Sequence, residues 1–321
     1  MDRLIVKNFG PLKDIDIKLN KINIFIGENG SGKSVLAKLV NLLNNPLLGI
    51  ELFQDYNIDY FQDDTIIKYT ANDRSYFMAF EGRKQFTNDV TQCGNSTSQY
   101  IPAERTLISI FNKYVTTFIT ADIPLPKFLL NFSSQYIRAR ESIQKLNLLN
   151  VEYQLKNGQE YIFYNNKESL LLEHSSSGIQ SALPLYLTVK YFAQKYGSIV
   201  IEEPEQNLFP KAQKETVEYI IEQLEDKNRL FMMTHSPYIL TALNNLILAN
   251  DVKNQKGLEA IDKIVKESQC VAFEDVRAYN IVDGRAIDIM DIEDRLIGVN
   301  LIDSISDEVN HTFDTLLSKL D

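Results

Sequence analysis

Ile22-Asn23-Ile24-Phe25-Ile26-Gly27-Glu28-Asn29-Gly30-Ser31-Gly32-Lys33-Ser34 is the stretch that decides the fold. Ile22, Ile24 and Ile26 with Phe25 make a short apolar strand, and Gly27 to Ser34 fit the pattern G-x-x-x-x-G-K-[ST] of a phosphate-binding loop. Gly27, Gly30 and Gly32 let the backbone wrap a polyphosphate with no Cβ in the way. The amides of Glu28, Asn29 and Ser31 and the positive end of a helix beginning near Lys33 then face the anion. Lys33 is placed for the β- and γ-phosphates, and the Ser34 hydroxyl for Mg²⁺. The run VLAKLVNLL leads out as a helix before Pro46, so strand, loop and helix follow in the required order.

Working outward, Arg3–Phe9 reads as a strand, Gly10-Pro11 as a turn, and Leu12–Leu19 as a second, antiparallel strand. Lys7-Asn8-Phe9 either passes the nucleotide base or lies on a solvated edge strand. Downstream, Thr65–Thr70 and Ser75–Phe80 suggest a hairpin, with a short strand near Gln85–Thr87 and a polar loop over Gly94–Ser98. Tyr100 to Arg105 enters a helical stretch to about Thr120, and the segment from Pro126 towards Asn150 is mostly helical, with Arg138, Arg140 and Lys145 along a basic edge. Asn157-Gly158 between two apolar runs is a strong hairpin signal, and a strand through Leu170–Leu172 follows. No heptad array or repeat appears, which excludes a long coiled-coil arm.

Three further stretches carry chemistry. In SIVIEEPEQNLFP (Ser198–Pro210) an apolar strand ends in Glu202 and Glu203, at the edge where open α/β sheets place ligands. Adjacent strand residues point oppositely, so Glu202 can support the Mg²⁺ shell while Glu203 orients or deprotonates water. Two solvated acids capping a strand would look the same without the phosphate loop upstream. RLFMMTHSP (Arg229–Pro237) brings His235 to the same edge, where it can hydrogen-bond a γ-phosphate and hold the water in line. His174-Ser175-Ser176-Ser177-Gly178-Ile179-Gln180-Ser181 precedes a helix-like run over Ala182–Tyr196, an anion site or an ordinary serine-rich cap.

The order of these motifs resembles that of ABC-type ATPases. LIVKNFGPLKD, EEPEQNLFP and THSPYIL are similar to the branch holding the structural-maintenance-of-chromosomes (SMC), RecF-like and overcoming-lysogenization-defect (OLD) ATPases, over roughly residues 2–245. The resemblance implies ATP with Mg²⁺, a P-loop NTPase α/β head with a mostly parallel central sheet, an antiparallel β subdomain and a helical insertion. It further implies that Ser176, Ser177 and Gly178 cap the γ-phosphate held by a second copy, so that ATP clamps a head-to-tail homodimer. Glu205, Asn207 and Leu208 would lie in the loop crossing that interface. Ser175-Ser176-Ser177-Gly178-Ile179 departs from the commonest LSGGQ form, and the family's glutamine-containing loop has only Gln62 and Gln99 as unassigned candidates, near Pro102–Arg105.

The bulk numbers fit such a head. The chain has 321 residues, 44% apolar and 24% charged, in the ordinary globular range. It reads as one unit: phosphate loop and β part to about residue 100, insertion over 101–175, signature and acid–histidine part over 176–250, and a C-terminal hairpin and helix over 251–321. Lys+Arg of 33 against Asp+Glu of 43 gives −10, which argues against a general nucleic-acid coat; DNA contact would need a local groove drawing on Arg138 and Arg140. Cys93 and Cys270 have no metal-ligand spacing and read as reduced, non-catalytic thiols. No signal segment or bilayer-length apolar run is present, so a cytoplasmic protein without a membrane partner is expected. Asp288, Asp291 and Asp294 invite comparison with the nuclease domain of OLD enzymes, but suit a solvated turn or helix face as well, and no in-chain nuclease is expected. The favoured function is an ATPase that switches a separate effector in a DNA-linked or antiviral defence assembly. The alternatives are a slow, nucleotide-gated interaction module and a transporter's energising subunit.

Overall fold

The computed structural model describes residues 2–45, 50–71, 74–81, 84–91, 97–111, 117, 120–121, 125–164, 168–298 and 310–319. The chain opens with β1 (Arg3–Phe9) and β2 (Leu12–Lys18), paired antiparallel from Arg3 opposite Lys18 to Phe9 opposite Leu12, and continues into β3 (Ile22–Ile26). Helix α1 (Lys33–Leu43) follows the phosphate loop, then α2 (Ile50–Asp55). An antiparallel run comes next: β4 (Ile66–Ala71), β5 (Arg74–Glu81) and β6 (Lys84–Thr91), before β7 (Ser98–Ile101). The insertion holds α3 (Thr106–Phe111), α4 (Lys127–Ser142) and a separate meander of β8 (Lys145–Leu148), β9 (Val151–Lys156), β10 (Gln159–Tyr164) and β11 (Glu168–Leu171). After it come α5 (Ser177–Ala193), β12 (Ser198–Glu202), α6 (Pro210–Gln223), β13 (Arg229–Thr234) and α7 (Pro237–Lys256). The hairpin β14 (Val276–Val282) and β15 (Arg285–Asp288) completes the main sheet.

That sheet runs β6-β5-β4-β1-β2-β15-β14-β3-β13-β12-β7. Its last five strands are parallel, and β3, β12 and β13 are buried at every position, which is why their sequences are continuous apolar runs and not alternating ones. β1, β2 and β4 instead alternate or pair antiparallel. Helix α1 packs against β7, β12 and β13 through Leu36, Leu39, Val40 and Leu43. This places the carboxyl ends of β3, β12 and β13, with the loops that leave them, at one edge of the sheet.

Several local expectations are corrected. Tyr100 and Ile101 belong to strand β7, because the neighbouring β12 offers a parallel partner that a local pattern does not show; a 3-10 turn over Ala103–Arg105 then leads into the α-helix at Thr106. Helix α4 ends at Ser142, and Lys145 sits on β8, paired with Glu152 across the strands. β1 has partners on both sides, so Lys7–Phe9 is not on an edge strand, and Phe9 is fully buried. β6 is longer than Gln85–Thr87, and Ser98 starts β7 rather than closing a loop; the rest of that loop up to residue 96, like Cys93, lies largely outside the described residues. Helix α5 begins at Ser177, not Ala182. Residues 310–317 are helical, and the expected start of that helix lies outside the described residues.

The β14–β15 turn is fastened to the β1–β2 turn. The Gly284 carbonyl accepts from Lys13 N (2.9 Å) and Asp14 N (3.1 Å), and a Cβ at Gly284 would stand 2.1 Å from the Pro11 carbonyl oxygen with φ at +74°. Gly284→Ala must therefore displace backbone, and it should cost about 2–4 kcal/mol in denaturant unfolding. An unchanged midpoint would mean that this junction gives way freely.

Candidate functional site

Gly30 (φ +78°) and Gly32 (φ +105°) hold left-handed conformations that turn the loop back over the start of α1. Lys33 is 4% exposed; its ammonium donates to the Gly27 carbonyl (2.8 Å), the Glu28 carbonyl (2.8 Å) and Ser31 Oγ (3.2 Å). Burial pushes its pKa down to about 8, against the opposing pull of Glu203, Glu205 and Glu202. The cation thus spans the loop it would share with an anion. The loop is backed by the C-terminal hairpin: a Cβ on Gly27 would stand 2.4 Å from the Ile281 carbonyl oxygen of β14.

Glu202, at the end of β12, is 3% exposed. It accepts hydrogen bonds from the Ser34 hydroxyl and from Tyr100 of β7. Burial raises its pKa to about 7, against the hydrogen bonds from Ser34 and Tyr100, which lower it; nearby Glu104 pushes the same way as burial. A serine hydroxyl beside one buried carboxylate suits Mg²⁺, which keeps water and phosphate in its remaining positions. Among the described residues no cluster of three or more His, Cys, Asp or Glu is placed to hold a metal ion by itself. Without metal, the folded chain holds a proton on Glu202 that the unfolded chain releases near pH 4.5. Stability contributed by this group is therefore lost as pH rises from about 4.5 through 7, by up to about 3 kcal/mol. Thermal melts of Glu202→Gln should lack that fall; the same pH slope in both proteins would refute it.

Glu203 stands one residue on, with the left-handed φ of +45°. Its amide donates to the Met233 carbonyl (2.8 Å), and its carboxylate lies 3.6 Å from His235 Nε2, both side chains about one third exposed. The His235 amide in turn donates to Glu205 Oε1 at 2.6 Å. Lys33, Ser34, Glu202, Glu203 and His235 are thus gathered at one sheet edge. Ser176 and Ser177 are exposed instead at the start of α5, and Ser176 makes no capping bond to its own helix, leaving hydroxyl and first-turn amides free. Gly178 packs under the loop after Glu203: a Cβ there would meet the Asn207 carbonyl oxygen at 3.0 Å. Glu205 folds back onto His235, whereas Asn207 is exposed.

The main residue that sequence reasoning missed is Arg105. It is fully buried, and its guanidinium donates to main-chain carbonyls of the acid pair and of α5. The sequence signal was only its place three residues after Pro102 at an expected helix entry, where a solvated helix start reads identically. Gln99 is buried and donates to Gln135 Oε1 (2.7 Å), while Gln62 is an exposed loop residue. Neither carries its side chain to the acid pair; Glu104 and Arg105 occupy that neighbourhood. Arg138 is exposed, but Arg140 is turned to Glu160 (3.1 Å), so the two do not form one free basic edge. Asp291 accepts from the amides of Glu293 and Asp294, a turn and not a helix face. Cys270 is a free thiol whose pKa burial pushes up, consistent with an unreactive side chain. No helix among the described residues is long and apolar enough to cross a membrane.

A phosphate loop followed by an acid pair, Glu202 buried and Glu203 partly exposed, and a histidine on adjacent parallel strands, with an antiparallel arm and a helical insertion, defines a P-loop ATPase head of the ABC type. The model of the AAA ATPase domain family AAA_15 matches residues 1–137 and 124–240, and the chain belongs to this family. It is 29% identical over 111 residues to an OLD nuclease of Thermus scotoductus, a match covering 34% of this chain and 21% of that relative. Among solved structures it is similar to the SMC head domain from Thermotoga maritima, with a TM-score of 0.44, 10% identity and coverage of 89% of this chain and 97% of that one. It is also similar to the recombination mediator protein RecF, with a TM-score of 0.46, 10% identity and the same coverages. The ATPase resemblance read from the motifs is borne out by the AAA_15 match, with a partial similarity to an OLD relative beside it.

Proposed function

We propose that this chain binds ATP with Mg²⁺, closes as a head-to-tail homodimer around two nucleotides, hydrolyses them, and so switches a separate effector protein. The observation that carries this reading is the gathering of Lys33, Ser34, Glu202, Glu203 and His235 at one sheet edge, while the exposed, uncapped start of α5 at Ser176–Gly178 is left free to meet an anion. Gly27, Glu28, Asn29, Gly30, Ser31 and Gly32 cradle the phosphates, and Lys33 exchanges loop carbonyls for phosphate oxygens. Ser34 and Glu202 hold the metal, which supplies charge neutralisation at the phosphates when bound. Glu203 takes the proton of the attacking water, and His235, whose Nε2 lies 3.6 Å from the Glu203 carboxylate, orients the γ-phosphate. The work is done by positioning and charge, without covalent chemistry.

Support for a DNA-linked or antiviral setting is the partial similarity to an OLD nuclease, whose own nuclease activity is a property of that protein. The effector would be a separate chain. The test is phosphate release per subunit as protein concentration is raised, with mass measured in solution beside it. A site shared by two copies gives specific activity that climbs with concentration and a mass that doubles with Mg-ATP. Constant specific activity with an unchanged mass would leave a head that works alone, and would end the shared-site proposal.

A further inference from the structure

Arg105 is a fully buried cation held by main-chain carbonyls instead of a carboxylate. Its Nη1 donates to Glu202 O (2.7 Å) and Pro102 O (3.1 Å), its Nη2 to Glu203 O (2.5 Å), and its Nε to Ser181 O (3.1 Å). One planar fork therefore ties the end of β12 to the first turns of α5, three residues beyond Gly178. Lysine, a compact point charge, cannot span those directions. Burial lowers the pKa of Arg105 to about 10, so it stays charged at neutral pH.

Three details show that the arrangement is built. Glu203 is held left-handed directly before Pro204, a position where the helical regions are disfavoured, at a cost of about 1–3 kcal/mol. Both ends of its backbone are fixed, the amide by Met233 O and the carbonyl by Arg105, and this holds the carboxylate towards His235. In α5, Pro184 has no N–H for the Gln180 carbonyl four residues back, and Ser109 Oγ of α3 donates to that carbonyl instead (2.6 Å). The Gln206 amide oxygen accepts from both Ser181 and Thr106 (3.2 Å each), a second tie between the loop after the acid pair and α5.

We propose that Arg105 is the positioning residue that sets the Glu203 carboxylate and, through the same guanidinium, couples it to the signature helix that would cap the partner's nucleotide. The coupling half rests on the shared-site reading above; the setting of Glu203 does not. Nucleotide entering one site would then be felt at the other through a rigid strut of about one side chain's length.

Arg105→Lys keeps charge and stem but loses the fork. Its turnover number should fall by at least about tenfold, and by up to about a hundredfold if the carboxylate shifts by an ångström. KM for ATP should move less than about threefold, because no phosphate contact is removed. In a Glu203→Gln background, Arg105→Lys should weaken the Mg-ATP-dependent dimer by at least about tenfold, a loss comparable to one charge-assisted hydrogen bond. Arg105→Ala should regain part of its turnover on addition of millimolar guanidinium and none with sodium chloride, a recovery that general destabilisation does not give. Wild-type turnover and dimer affinity in Arg105→Lys would overturn the proposal. So would a loss of ATP binding in step with a collapsed melting temperature and no guanidinium rescue. If Glu203→Gln alone stays monomeric with Mg-ATP, the shared-site reading fails instead, and the turnover-against-KM comparison still decides whether Arg105 sets Glu203.

Discussion

Glu203→Gln should abolish most ATP turnover, by about 10²–10⁴-fold, the range that removal of a positioned general base produces. The amide keeps the size of the side chain, and the backbone ties to Met233 and Arg105 are untouched, so the fold and nucleotide affinity should survive. What is lost is the proton acceptor facing His235 at 3.6 Å. The substituted protein should therefore accumulate with ATP bound, and on the shared-site reading it should sediment as a dimer with Mg-ATP and as a monomer without it. Phosphate release and solution mass, measured side by side, check both halves. Turnover within threefold of wild type would remove Glu203 from the chemistry, whatever the mass shows.

For Lys33→Ala the expected loss is in binding: ATP affinity falls by at least about thirtyfold, since truncating one partner of a desolvated charge pair costs about 2–5 kcal/mol. The pH dependence adds a sharper signature. In the free protein burial holds Lys33 to a pKa of about 8, and phosphate oxygens must raise it on binding. Above pH 8, ATP binding therefore has to take up a proton, and wild-type affinity should decline by about tenfold per pH unit there. Lys33→Ala should lose that decline along with the affinity. Titration of a fluorescent ATP analogue between pH 7 and 9.5 distinguishes this from a chain whose lysine is spectator: parallel curves for the two proteins would do so.

The residues gathered at the sheet edge could be read from the chain because each part is local. A phosphate loop is eight residues, and Glu202, Glu203 and His235 each stand at the end of an apolar run. The β9–β10 hairpin was equally local, with Asn157 (φ +52°) and Gly158 (φ +77°) adopting the conformations such a turn requires. What could not be read were pairings between distant segments. β7 looks like a helix entry until β12 lies beside it, and Arg105 looks like a solvated base until Ser181, Glu202 and Glu203 converge on it. Arg140 fails as a free basic residue for the same reason, since Glu160, twenty residues away, turns it inward. Periodicity reports which face is buried, not what buries it.

β14 pairs in parallel with β3 across some 250 residues of chain, and Ile281 closes on Gly27 from behind. During synthesis the phosphate loop leaves the ribosome some 250 residues ahead of the strand that backs it. Until then β3 exposes an unpaired edge, the kind of surface that mispairs while a nascent chain waits. Capacity to hold nucleotide should accordingly be gained late and in one step. A nascent chain halted before Val276 would be unable to load ATP firmly, so nucleotide loading would mark a chain in which β14 has paired with β3, and ATP itself would favour that fold over its precursors.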